Sequence, residues 1–283
     1  MSFWKTLQHR TFFWTFVLLA AYLVYIYPIQ RLTDWLNYPA LLNLPTIVGL
    51  WLLVTAVLRL SFRSSSRKLE LILYNWMGIG FVFFCLCFIY ELLRLGLALD
   101  DYWAGIGILI AGACITIFAL ATAQRLSCKQ LEFRDPKLTR KYRLVQISDV
   151  HIGSRSVGFL RYVVETINTQ NPDLIVITGD FLDAKRVQAE DIAPLKNLKA
   201  PVYFSIGNHE RYAGLDWVIP LLEDAGVVVL RSQAVKVGEL QLIGIDDAED
   251  KNQVERELAK IELNPECFKI LLYHRPLGWE SAV

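Results

Sequence analysis

The chain has 283 residues, 54% of them hydrophobic, and its formal net charge is only +1. This length predicts about two domains, and the composition is too apolar for an ordinary soluble protein, so we expect a membrane part. The basic residues cluster around apolar segments rather than on one polar face, so the sequence gives no indication of nucleic acid as a partner.

Four stretches without a charged residue are long enough for a helix to cross a hydrocarbon core of about 30 Å, which takes roughly 20 residues. They are Thr11–Ile29, Ala40–Leu58, Leu71–Tyr90 and Tyr102–Gln124. The first stretch could instead be a cleaved signal peptide, but it is long for one and three further spans follow it. We therefore predict an all-α, four-helix transmembrane region over residues 1–127.

The segments that flank these spans predict their orientation. Lysines and arginines precede the first span, separate the second from the third and follow the fourth, whereas the opposite side has only Arg31 and Arg94. The positive-inside rule then places both termini and the polar C-terminal half in the cytoplasm. Glu91 and Arg94 lie three residues apart near the end of a span, which favours a local ion pair over an ion pathway.

The composition changes after the last span. Residues 128–141 are polar and charged and contain the turn signal Asp135-Pro136, so we predict a linker there and a second domain over residues 142–283. In that domain short apolar runs alternate with amphipathic stretches, a pattern typical of an α/β fold with covered sheets. The predicted strands are Leu144–Ile147, Leu174–Thr178, Val202–Ile206, Ala234–Val237, Leu240–Gly244 and Phe268–Tyr273, and the predicted helices are Val157–Asn168, Val187–Leu198, Leu215–Ala225 and Lys251–Ile261.

Short polar motifs directly follow four of these strands. They are Asp149-Val150-His151, Gly179-Asp180, Gly207-Asn208-His209-Glu210 and His274. Ligands of α/β domains gather beyond the carboxyl ends of strands, so we expect these side chains to converge. Carboxylate, imidazole and amide oxygen suit manganese, iron or zinc, and one carboxylate can bridge two cations about 3.5–4 Å apart. Each motif alone could be an ordinary turn or a helix cap, but their order and strand context make the set specific.

In wording and order, the segments QISDVHIG, VITGDFLD, FSIGNHE and LLYHRP resemble the calcineurin-like metallophosphoesterase superfamily, whose motifs run D-x-H, G-D, G-N-H-(D/E), a lone His and G-H-x-H. Their wording is similar to that of a bacterial membrane-associated branch that includes relatives of UDP-2,3-diacylglucosamine pyrophosphatases. The resemblance covers residue 142 to the end. It implies an α/β metallophosphoesterase sandwich and covers none of the four spans. The spans together with the bacterial branch predict an integral protein of the bacterial inner or plasma membrane.

The resemblance also implies a site with two divalent metal ions, manganese, iron or zinc. The implied ligands are Asp149 and His151 for the first ion, Asp180 as the bridge, and Asn208 and His274 for the second. His209 would be catalytic, stabilising or protonating the leaving oxygen while a metal-bridging hydroxide attacks phosphorus. Asp183 and Glu210 fit roles in ordering loops, with solvated carboxylates as the equal alternative, and Asp247 is a weaker candidate.

The chain departs from the family at the last motif. Its four histidines are at positions 9, 151, 209 and 274, so G-H-x-H is absent and we expect the sandwich to be incomplete, truncated before that motif. The favoured explanation is a fragment of an ordinary enzyme. The alternatives are a catalytically dead membrane-anchored sensor or scaffold, a decayed gene product, or a site that receives its missing imidazoles from another chain.

The predicted function is therefore an integral-membrane phosphoesterase that hydrolyses a phosphate ester or a pyrophosphate bond. Its expected partners are membrane lipid and a phosphorylated substrate. A lipid-linked phosphate is the preferred substrate, because attachment to a membrane raises the local concentration of such molecules. A transporter subunit with a regulatory domain is a further alternative, but the spans lack the buried charged cluster that would mark a pathway.

Overall fold

The computed structural model describes residues 14–38, 43–61, 67–183, 187–278 and 280. The chain divides into two compact units, one ending at Arg125 and the other beginning at Leu126. The first unit is helical and the second has an α/β architecture, as predicted. The predicted limits of the linker and the domains, and the incompleteness of the sandwich, stay predictions.

The described part of the N-terminal unit contains four helices. They are α1 (Trp14–Trp35), α2 (Leu44–Ser61), α3 (Arg67–Leu93) and α4 (Asp101–Ala123). Among the described residues, three helical stretches are long and apolar enough to cross a membrane: α1, Leu71–Leu93 within α3, and α4. The apolar part of α2, Leu44–Val57, is shorter. Positions 11–13 and 40–42 of the predicted spans lie outside the described residues, so the number of four spans stays a prediction.

A close approach between α1 and α3 depends on one glycine. In α1 the residues Tyr22–Ile26 form a π-helical turn that ends two residues before Pro28, where the missing N–H and the ring disfavour regular α-helical bonding. A Cβ atom on Gly80 would lie 2.3 Å from the carbonyl oxygen of Val24 in that turn. Only glycine therefore lets α3 pack this closely against α1.

Ion pairs connect three helices of this unit. The Nε of Arg31 lies 2.9 Å from Oε1 of Glu91, and Nη1 of Arg94 lies 3.6 Å from Oε2 of the same glutamate. Oδ2 of Asp101 lies 3.3 Å from Nη2 of Arg94, and Oδ1 of Asp101 accepts a 2.6 Å hydrogen bond from the hydroxyl of Tyr90. The predicted Glu91–Arg94 pair is thus present as part of a larger network, which we call the helical-unit ion network.

The described residues of the C-terminal unit form two sheets. The first is parallel with the order β1 (Leu144–Ile147), β2 (Leu174–Thr178), β3 (Val202–Ser205) and β4 (Val227–Leu230). The second contains β5 (Gln233–Val237), β6 (Leu240–Gly244) and β7 (Phe268–Leu272), with β5 antiparallel and β7 parallel to β6. The helices are α5 (Val157–Thr169), α6 (Ala189–Ile192) with a following 3-10 turn (Ala193–Asn197), α7 (Asn208–Ala213), α8 (Leu215–Asp224) and α9 (Gln253–Leu258).

Alternation along the strands produces a four-layer arrangement. In β2, Leu174 and Val176 pack with Leu242 of the second sheet, whereas Ile175 and Ile177 belong to the core under α5 and α8. The outer face of the second sheet packs on α9. Successive side chains of a strand point to opposite faces, so a fully buried strand such as β2 must be apolar throughout. The order of layers is therefore helix, sheet, sheet, helix.

Most predicted elements of this domain are confirmed, and the predicted strands Ala234–Val237 and Leu240–Gly244 pair as an antiparallel hairpin. The predicted helix Val187–Leu198 is shorter and continues as a 3-10 turn. Pro194 lies at the start of that turn and has no N–H to donate to an α-helical hydrogen bond. The helix predicted over Lys251–Ile261 is also shorter, and β4 and α7 were not predicted.

Candidate metal centre

The loops after β1 and β2 lie side by side at the carboxyl edge of the parallel sheet. The backbone N–H of Asp149 donates to the carbonyl of Gly179, at 3.2 Å, and that of His151 donates to the carbonyl of Asp180, at 3.1 Å. The backbone φ angles of Asp149, His151 and Asp180 are 55°, 52° and 51°. This left-handed backbone conformation is rare for residues other than glycine. Backbone strain of this kind concentrates at functional sites, so these two loops are a candidate functional site.

Three side chains of these loops converge. One ligand atom each from Asp149, His151 and Asp180 lie within 4.8 Å of one another, and Nε2 of His151 is 3.8 Å from Oδ1 of Asp149. Ligand atoms that share one ion at about 2 Å each lie within about 4 Å of one another. The cluster therefore has nearly the spacing that a single divalent cation needs.

Asp180 also faces a second set of side chains. Its carboxylate is 6% exposed, and its Oδ2 lies 3.2 Å from Nε2 of His274 and 3.8 Å from Nε2 of His209. The Nδ1 of His274 is 2.9 Å from the carbonyl oxygen of Thr178, which can only accept, so Nδ1 donates. In the neutral ring Nε2 then has no proton. Nε2 and the carboxylate oxygen are therefore two hydrogen-bond acceptors that face each other, and a proton or a cation must lie between them. The donor set fits divalent metal ions on this ground.

Asn208 lies at the start of α7, next to the same carboxylate. The preceding Gly207 is so close to Asp180 that a Cβ atom there would lie 2.4 Å from Oδ1. The N–H of His209 donates to that Oδ1 at 2.9 Å. The segment that carries Asn208 is thus fixed against Asp180 from both sides.

Two glycines permit this close approach. Gly179 has a φ of 82°, and a Cβ atom on it would lie 2.7 Å from Cα of Gly207 and 2.9 Å from Cγ of His274. Any side chain at position 179 would push the loop after β3 and the imidazole of His274 away from the centre. The glycines of the predicted motifs are therefore required by contact as well as by turn geometry.

Glu210 orders the backbone of two motif loops. It is fully buried, and its carboxylate accepts hydrogen bonds of 2.7–2.9 Å from four backbone N–H groups, those of Asp180, Phe181, Leu182 and Gly207. Burial raises the pKa of Glu210, and these hydrogen bonds oppose that rise. The loop-ordering role foreseen for this residue is what the contacts show, rather than a solvated carboxylate.

Asp183 and His209 complete the surroundings. Asp183 accepts the N–H of Ser154 at 3.0 Å and places its other oxygen 3.7 Å from Nδ1 of His151, which orients that ring. The ring of His209 stands edge-on to that of His151, with centroids 4.7 Å apart. The His209 side chain is 36% exposed, so it can reach a molecule in the site from the solvent side.

The arginines that contact Asp246 and Asp247 were not predicted from the sequence. Asp246, which is buried, accepts a 2.7 Å hydrogen bond from Nε of Arg231 and lies 3.8 Å from Nη2 of Arg211. Asp247 pairs with Arg275, which directly follows His274, and this pairing raises the pKa of Arg275. The adjacency of Arg275 to His274 was the one signal available in the sequence.

Residues 142–278 match the family model for calcineurin-like phosphoesterases. Together with the layered α/β architecture and the carboxylate–histidine cluster, this match defines the C-terminal half as a metallophosphoesterase domain. The chain's C-terminal half therefore belongs to the calcineurin-like phosphoesterase family. Such a domain implies divalent metal binding and hydrolase chemistry.

Three relatives illustrate the similarity. The chain is 29% identical over 157 residues to a metallophosphoesterase of Campylobacter jejuni, covering 52% of this chain and 42% of the relative. It is 32% identical over 167 residues to a transmembrane protein with a metallophosphoesterase domain from Danio rerio, covering 52% and 38%. A UDP-2,3-diacylglucosamine pyrophosphatase of Chlamydia muridarum is 34% identical over 95 residues, covering 30% and 28%. The chain thus spans less than half the length of these relatives, and the apolar helices together with the transmembrane relative support membrane association.

Proposed function

We propose that the protein is an integral-membrane phosphoesterase that hydrolyses a phosphate ester or a pyrophosphate bond with two divalent metal ions. The observation that carries the proposal is the position of Asp180. Its buried carboxylate lies in one cluster with Asp149 and His151, its Oδ2 is 3.2 Å from Nε2 of His274, and its Oδ1 accepts the N–H of His209, the neighbour of Asn208. One carboxylate between two ligand sets is the arrangement that holds two cations about 3.5–4 Å apart.

Each side chain has a role in this proposal. Asp149 and His151 would hold the first ion, Asn208 and His274 the second, and Asp180 both. When bound, two such ions, manganese, iron or zinc, lower the pKa of water and neutralise charge on a phosphoryl group. His209, half-exposed beside the cluster, would stabilise or protonate the leaving oxygen.

We further propose a phosphorylated substrate that is lipid-linked. The apolar helices would keep the domain at a membrane, where lipid phosphates are locally concentrated. The Chlamydia muridarum relative is by its name a pyrophosphatase of a diacylated sugar nucleotide, which belongs to this substrate class. Four spans in a bacterial inner or plasma membrane with the domain in the cytoplasm complete the proposal.

The test compares two variants of the full chain in detergent, loaded with Mn²⁺. Asp180→Asn should abolish binding of two ions and hydrolysis together, because a neutral amide with a single oxygen replaces the charged carboxylate that both ligand sets share. His209→Asn should keep both ions and lower turnover of bis(p-nitrophenyl) phosphate by about 10²–10⁴-fold. Equal loss of metal in both variants would contradict the division of roles.

The wild-type protein provides the second arm of this test. Failure to bind any divalent ion would overturn the proposed function. Two bound ions without turnover of phosphomonoesters, phosphodiesters or pyrophosphates would favour a membrane-anchored sensor. Faster hydrolysis of soluble nucleotides than of lipid-linked phosphates would contradict the substrate class.

A further inference from the structure

The ion pair Asp247–Arg275 adjoins His274 of the candidate metal centre in the chain, and the Arg275 side chain is 27% exposed. Asp247, which follows the end of β6, is completely buried. Its Oδ1 accepts a 2.5 Å hydrogen bond from Nε of Arg275, and its Oδ2 accepts a second one from Nη2. Two parallel bonds to one guanidinium fix the position of that group as well as its charge.

The same aspartate also holds a loop of the other sheet. Its backbone N–H donates to the carbonyl of Ile206 at 3.1 Å. Arg275 directly follows His274, and Ile206 lies two residues before Asn208. Asp247 therefore connects the segment that carries Asn208 with the segment that carries His274. These two residues are the ligands proposed for the second ion alone.

The loop that carries the first-ion ligands is held by different contacts. His151 bonds to the loop after β2 through its backbone and faces Asp183 through its ring. Among the described residues, neither Asp247 nor Arg275 forms a hydrogen bond or an ion pair with Asp149 or His151. Loss of the Asp247–Arg275 pair should thus affect one half of the centre and spare the other.

We propose that the Asp247–Arg275 pair positions His274 and Asn208 for the second metal ion; this inference rests on the proposed two-metal function. The bond from His274 Nδ1 to Thr178 fixes the rotation of the ring, and Arg275 fixes the backbone from which the ring projects. The pair is a positioning device because neither residue contacts the cluster of ligand atoms. A buried carboxylate that loses its partner is unstable in that place, so the pair must act as a unit.

The test measures the stoichiometry and affinity of Mn²⁺ binding to the full chain in detergent, with electron paramagnetic resonance to separate paired from isolated ions. Wild-type protein should bind two ions and show the spectrum of a coupled pair. Asp247→Asn and Arg275→Lys should bind the first ion with unchanged affinity and the second about 10–100-fold more weakly. Lysine keeps the charge but loses the planar fork, so Arg275→Lys separates geometry from charge.

The matched control is the pair Asp250–Arg256, which joins the same residue types just before and within α9 but is half-exposed. Asp250→Asn should bind both ions as the wild-type protein does. Thermal unfolding with a chelator present checks that the variants fold. If Asp247→Asn does not fold, Arg275→Lys decides whether the pair positions the ligands of the second ion.

The outcomes are distinct. A wild-type protein that binds fewer than two ions overturns the proposed function. A wild-type protein that binds two ions, with variants that lose neither or lose both equally, overturns only the positioning role.

Discussion

The helical-unit ion network and the candidate metal centre both contain clustered carboxylates, but these carboxylates face different partners. In the network, Glu91 and Asp101 each face an arginine, so the charges pair off. In the metal centre, Asp149 and Asp180 face imidazoles and backbone N–H groups. Imidazole is neutral unless protonated, so the second cluster has carboxylates without matching cations. Charge balance, rather than the number of polar residues, distinguishes a structural cluster from a ligand site.

The largest expected effect breaks the ordered backbone of the metal centre. Glu210→Ala would leave four buried N–H groups without an acceptor, at about 1–3 kcal/mol each before relaxation. We expect the α/β domain to lose its cooperative unfolding transition, as measured by tryptophan fluorescence in urea. Glu210→Gln, which keeps the shape, should be less severe, and a fully folded Glu210→Ala variant would contradict the role of this carboxylate.

Removal of metal should separate the two regions directly. An ion present at 100 times its Kd stabilises the folded state by about 2.7 kcal/mol, which corresponds to several degrees in Tm for a domain of this size. We expect a chelator to lower the unfolding temperature of the α/β domain in calorimetry. The melting of the helical unit should not move, and a shift of both transitions would show that the centre is not the site of binding.

A change within the ion network should have the reverse pattern. Glu91→Gln leaves Arg31 and Arg94 without their shared carboxylate, which is 23% exposed. We expect a loss of about 1–2 kcal/mol from the helical unit, between the values for exposed and buried pairs. Thermal unfolding in detergent measures the loss, and unchanged Mn²⁺ affinity in the same variant is the accompanying control.

The smallest effect is expected for Arg94→Gln. Its contacts to Glu91 and Asp101 are 3.6 and 3.3 Å long and its side chain is 37% exposed, so the loss should stay below about 1 kcal/mol. Arg31 still neutralises Glu91 in this variant. A larger effect than that of Glu91→Gln would mean that the network is centred on Arg94 instead of on the glutamate.

Much of the domain could be predicted because local patterns report local structure. Strands such as Leu144–Ile147 and Leu174–Thr178 have the predicted bounds, since an apolar run between turn residues has few other solutions. The strand Val227–Leu230 was missed because it begins directly after the turn that ends α8 and is only four residues long. The helix α7 was missed because its residues are polar motif residues that read equally well as a loop.

The sequence by itself determined which polar residues gather in the candidate metal centre. Motif order and placement after strands predicted that Asp149, His151, Asp180, His209 and His274 would meet, and they lie together. The positions of the strand ends follow from local periodicity, and parallel pairing brings the ends of β1, β2 and β3 to one edge. His274 follows β7 of the second sheet and meets this edge because the two sheets stack.

Only the tertiary structure decided how these side chains are held. The partners Asp247 and Arg275 are 28 residues apart, and Arg31 meets Glu91 from a different helix. A buried charge must find a partner because the interior solvates it poorly, but chain separation does not specify which partner it finds. The choice follows from how sheets and helices pack, which no local pattern records.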